Sequence, residues 1–235
     1  MRWMTATKYD VQFQWRHGFY GVYVLVCSLY VLLLHFVPES RKDTVTILLT
    51  FSDPSALGLI LAGGIVLLEK DQGIHDSLFV TPLRLREYLF AKALSLSALS
   101  LAAAWVIHVF SLGLPISPIR FSLAVLLTSS FFTFLSIGVA VRTRSINGFI
   151  LLSQLYALPF TLPLLHFFGI GKAFMYVIIP TDGSLLLLKT TYQHVSLGGT
   201  IYAVTLLVLG NACVFLWTYR SFERKVLWRI GDGRS

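Results

Sequence analysis

The chain has 235 residues, 56% hydrophobic and 13% charged, where an average soluble domain carries about 25% charged residues. That composition excludes a soluble globular domain, and the length leaves room for one domain without a large appended module. The net charge of +8 does not mark a nucleic-acid binder, because the Lys and Arg residues stand between apolar runs instead of lining one polar face.

Residues 1–17 lack the charged tip and apolar core of a cleavable signal peptide. Trp3, Tyr9, Phe13 and Trp15 mix with Lys8, Asp10, Gln12 and Gln14, a pattern that predicts a helix lying on the membrane surface. The alternation over residues 10–15 also fits an extended stretch.

A helix needs about 20 apolar residues to cross the hydrocarbon, since it rises about 1.5 Å per residue and must satisfy its own backbone hydrogen bonds. On that ruler the spans fall at 18–37, 50–68, 93–114, 121–141, 146–168 and 197–219. The second must begin near Thr50, because the uncharged stretch from Pro54 is too short alone, and this places Asp53 near the outer surface. Gly58, Ala62, Gly63 and Gly64 give the second span a small face suited to close helix approach. Pro159 and Pro163 bend the fifth. Residues 170–180 and 183–188 are apolar but too short to cross, and are read as re-entrant or interfacial pieces before the sixth span. Cys27 and Cys213 lie in apolar runs as packing residues. His108, Gln154, His166 and Asn211 are expected to form interhelical hydrogen bonds. No repeat is evident, so the expectation is an all-α integral membrane protein with one transmembrane domain over residues 1–235.

Lys and Arg favour cytoplasmic loops. With the N-terminus inside, the inner segments hold fourteen of them and the outer segments five, namely Arg41, Lys42, Arg120, Lys172 and Lys189. The opposite orientation inverts this bias, so both ends are expected in the cytoplasm of a prokaryotic inner membrane.

No phosphate-loop motif occurs, and the nearest string, Gly169-Ile170-Gly171-Lys172, falls on the expected outer side. No His-Glu-x-x-His pair occurs either, so no catalytic residue and no metal site is expected in this chain. Asp53 and Asp182, the acids at spans two and five, are both expected toward the outer surface. Ion-coupled carriers usually keep an ionisable residue deep in the membrane. A pump built on these spans therefore takes its energy from outside the membrane.

The informative stretch is the inner loop over residues 69–92. Gly73 breaks the long helix at the membrane exit, and Pro82 stops a short helix after it. In that short helix Ile74 and Leu78 share a face, with Phe79 beside Leu78. Such a face fits a partner's groove, and equally a bed of lipid headgroups.

This loop resembles that of the type-2 family of ABC transporter permeases. Glu69, Lys70, Asp71, Gly73, Leu78, Thr81, Pro82, Leu83, Glu87 and Lys92 fall in order on the family pattern, with Ile74 where Thr is usual and Ala91 where Gly is common. More narrowly, Gly18-Phe19-Tyr20 and Phe79-Val80-Thr81-Pro82-Leu83 are similar to small fluoroquinolone-export permeases. The resemblance implies a coupling helix at residues 73–81, seated in a separate nucleotide-binding ATPase subunit that holds ATP and Mg. Glu69, Asp71, Gly73, Ile74, Leu78, Phe79, Thr81 and Pro82 would form that ATPase-coupling region. It also implies two ATPase copies, a second permease chain, identical or related, and lipid around them. The cargo would be an amphipathic or hydrophobic drug-like compound, with Phe131, Phe134, Gln154, Tyr156 and Phe160 as a candidate path. Open alternatives are a haem-export permease of cytochrome c maturation, a lipid or peptide exporter serving antibiotic immunity, a lipid-modifying membrane enzyme, and a membrane anchor or sensor.

Overall fold

The computed structural model describes residues 2–75 and 83–227. Among these residues every regular element is helical: α1 (Arg2–Arg16), α2 (Phe19–His35), α3 (Glu39–Asp71), α4 (Leu85–Leu112), α5 (Pro118–Ala140), α6 (Ile146–Thr161), α7 (Pro163–Phe167), α8 (Pro180–Lys189) and α9 (Leu197–Phe222). A single 3-10 turn, Ala173–Met175, precedes α8, and a π-helical turn, Glu223–Leu227, follows α9.

Helices α3, α4 and α5, and α9 with its π-helical turn, are each long and apolar enough to cross a membrane, and α1 with α2 adds a fifth candidate if that bent pair is one span. The shorter α6 is apolar over its 16 residues. Outward-facing Leu25, Leu151 and Ile201 are exposed, a surface that water tolerates poorly and lipid covers. The chain is a multi-pass membrane protein.

Residues 2–16 are helical, not extended, and α1 turns 70° against α2. Gly18 makes the corner at φ 74, a left-handed backbone that a Cβ disfavours. Of the two prolines expected to bend the fifth apolar run, Pro159 lies inside α6, and the helix breaks at Leu162, beside Pro163 at the start of α7. The largest departure from the sequence expectation is α3, which starts at Glu39, eleven residues before Thr50, and carries the polar stretch before it as helix.

Helix α5 is the centre of the bundle, with α3, α4, α6, α8 and α9 packed on it. Close approach of α3 to α5 and α6 depends on Gly63. A Cβ there would stand 2.1 Å from the Phe149 ring and 2.7 Å from Ser136 Oγ. The small face expected in the second span is thus required at Gly63, while Gly58 leaves ordinary contact room for a Cβ against α5 and Gly64 faces open space. Short α8 crosses α9 closely in the same way, for a Cβ on Gly183 would meet the Ala203 carbonyl oxygen at 2.7 Å.

Polar groups in the helices mostly bond to neighbouring backbone. Asn211 of α9 donates to the Leu127 carbonyl of α5 at 3.0 Å and accepts from Ser130 at 2.9 Å. The His108 ring lies 2.8 Å from the Gly113 carbonyl, and His166 lies 3.3 Å from Asp182. Gln154 is exposed on α6.

Candidate functional site

Gly73 ends α3 with φ 66, after its N–H bonds the Lys70 carbonyl at 3.1 Å. On the far side of the loop, the Glu87 carboxylate accepts the Arg84 backbone N–H at 2.9 Å and caps the start of α4. These two devices fix where the loop leaves the bundle and where it returns.

Between them lies a buried cluster of charge. The Lys92 ammonium, on α4, is 2% exposed and pairs with two carboxylates, Glu69 Oε1 of α3 at 2.5 Å and Asp10 Oδ1 of α1. Tyr88 donates to Glu69 Oε2 at 2.6 Å, and His75 Nε2 stands 3.5 Å from that oxygen. Gln14, one turn after Asp10, donates to Asp10 Oδ2 at 2.9 Å and to Ser95 Oγ at 3.0 Å, and Ser95 donates to Asp10 in turn. The Phe222 ring of α9 closes the group, with centroids 5.5 Å from His75 and 5.6 Å from Tyr88.

Lone charges at such burial cost several kcal/mol apiece, on the order of the penalty for an unpaired ion in a protein interior. Here each carboxylate finds an ammonium and further donors, so the cluster is held only while α1, α3 and α4 keep their places. Mechanically it is a clasp: the N-terminal helix α1 and both sides of the loop grip one ammonium. Lys70 adds a strap across the bundle, donating to the Thr143 carbonyl at 3.2 Å in the α5–α6 connection.

Of the expected coupling residues, Glu69 is buried in the clasp and Asp71 is exposed beside it. Gly73 is the helix stop, and Ile74 lies next to α1, where it lines a groove of about 870 Å³ with Tyr9, Phe13 and Gln72. Leu78, Phe79, Thr81 and Pro82 lie outside the described residues. The loop reading of residues 69–92 did not expect Lys92 and Asp10 to be buried partners. The available signal was the Asp10 and Gln14 pair, four apart on one face of α1.

The aromatic path residues divide. Phe131 and Phe160 touch, with ring centroids 4.8 Å apart, and Tyr156 lies against Trp217 in the same cluster at 5.6 Å. Phe134 belongs to a different cluster, against Phe215 and Phe90. Phe131 and Phe134 are buried within the chain.

Asp53 is buried within the bundle. It is 1% exposed, fourteen residues inside the start of α3.

Residues 1–230 match the fluoroquinolones export permease protein family. Fluoroquinolones export permease proteins from two strains of Mycobacterium tuberculosis are each 26% identical to the chain over 233 residues, covering 98% of this chain and 98% of theirs.

Proposed function

We propose, for a chain that belongs to the fluoroquinolones export permease protein family, that it is the membrane-spanning subunit of an ATP-driven exporter of drug-like amphipathic compounds. Two permease chains and two ATPase subunits form the pump, with ATP and Mg held by the ATPase. In this reading the chain has six spans: α2, α3, α4, α5, the broken pair α6–α7, and α9. Both termini face the cytoplasm of the inner membrane, and fourteen of nineteen Lys and Arg residues then fall on the inner side.

The observation that carries the reading is the clasp around Lys92. A loop that only joins two spans needs no buried ion pair. Here the two ends of the loop share one ammonium with the N-terminal helix, so a push on the loop reaches α1, α3 and α4 together. Residues 73–81 act as the coupling helix in the ATPase groove, and α1 carries its displacement along the membrane surface.

The test is co-purification of a nucleotide-binding ATPase with the chain from its native membranes, comparing wild type with Leu78→Asp and Phe79→Asp. A charge placed in an apolar contact is costly unless paired. Normal membrane insertion with loss of the ATPase is expected. Retained association with unchanged cargo-stimulated ATP hydrolysis contradicts the proposal.

A further inference from the structure

Asp53 is an anomaly of this bundle. Counted back from Leu68 at about 1.5 Å per residue, its Cα lies about 22 Å along α3, inside the roughly 30 Å hydrocarbon layer. Among the described residues no hydrogen-bond partner reaches either carboxylate oxygen, and Thr50 Oγ1, one turn away, is also without one. Pro54 follows directly in the helix, and having no N–H it leaves the Thr50 carbonyl without its helical donor. The carboxylate thus receives no hydrogen bond among the described residues, the reverse of the Lys92 clasp.

Beside it, α2 and α4 enclose a groove of about 710 Å³ lined by Tyr20, Tyr23, Cys27, Val31, Ala103 and Phe110, a size that suits a drug-sized molecule. Val24, Leu32 and Phe110 at its rim are exposed, so it opens sideways, toward lipid. Tyr23 and Cys27 line the groove, and Val45 and Leu49, two turns and one turn before Asp53 on α3, pack against the cluster that holds them, which sets Asp53 behind this side of the groove. The Tyr23 hydroxyl is held by a long 3.4 Å contact to Ser100. Lys42, at the outer end of the groove, is paired with Glu39 and lies eleven residues from Asp53 along α3.

We propose that this groove and Asp53 form a recognition site for an amphipathic amine, the groove taking the apolar body and the carboxylate taking the ammonium group. The proposal rests on the exporter reading and adds to it a charge preference in the cargo. An ammonium supplies the donors that Asp53 and the Thr50 carbonyl lack, and the Tyr23 ring offers a cation–π face on the way in. A neutral molecule of the same shape gains only the groove.

The experiment uses the full-length chain in lipid nanodiscs and two fluorescent probes that differ at one nitrogen: dansyl-1,8-diaminooctane, with a free amine, and its N-acetyl derivative. Energy transfer from tryptophan to dansyl reports binding. Wild type should bind the amine at least about tenfold more tightly than the amide. Asp53→Asn should bring the two within about twofold by weakening the amine alone, and Asp53→Glu should keep part of the preference. Unchanged amide binding shows that the Asn variant is folded. Equal binding of both probes by wild type, or a preference that survives Asp53→Asn, overturns the site, while the exporter reading stands on its ATPase. Loss of the preference in a chain that captures no ATPase upholds the site and removes the ATP-driven reading.

Discussion

Replacing Lys92 by Met keeps the bulk of the side chain and removes its ammonium. Two carboxylates, Asp10 and Glu69, then face each other in a site where all three residues are less than one-tenth exposed. Both reach the same ammonium in the wild type, so they are at most about 6 Å apart, and at an effective dielectric of about 20 their repulsion is about 3 kcal/mol. Loss of one partner from a buried pair costs about 3–5 kcal/mol in all, which includes that repulsion. At about 2–4 °C per kcal/mol for a chain of this size, the midpoint of thermal unfolding in detergent should fall by about 10 °C. The triple variant Asp10→Asn, Glu69→Gln, Lys92→Met removes the stranded charges with the ammonium and should recover much of the loss. Fluorescence-detected size exclusion after heating measures both. A single variant as stable as wild type, or a triple variant no better than the single, refutes the clasp.

Gly63→Val puts a side chain where the Phe149 ring and Ser136 already stand and should destabilise by about 1–3 kcal/mol, whereas Gly64→Ala, facing open space, should be near neutral; equal melting midpoints for the two refute the packing of α3 on α6. In a variant lacking Cys27 and Cys213, single cysteines at Lys42 and Lys225 should react with an impermeant thiol reagent only from outside and only from inside, respectively; labelling of both from one side rejects the proposed orientation.

Run length and punctuation are local properties, and the sequence carries them openly. Apolar stretches near 20 residues became the long helices because a chain in lipid must bond its own backbone. Gly18, Gly73 and Pro163 mark three of the breaks, since a left-handed backbone and a missing N–H are set by single residues. The sequence similarity to the permease family is likewise a property of residue order, and it holds over nearly the whole length.

Hydropathy reports where a helix leaves lipid, not where the helix ends. It therefore could not show that residues 39–49 continue α3, nor that the Asp53 side chain is buried against other helices. Lys92 reads locally as one more loop cation, and its meeting with Asp10, 82 residues earlier in the chain, depends on the 70° turn at Gly18 that lays α1 across α4. The sequence by itself determined which stretches are helical and apolar and which family they belong to. Only the tertiary structure decided which charges are paired and which carboxylate is left bare, because pairing is set by the distance between helices and not by position along the chain.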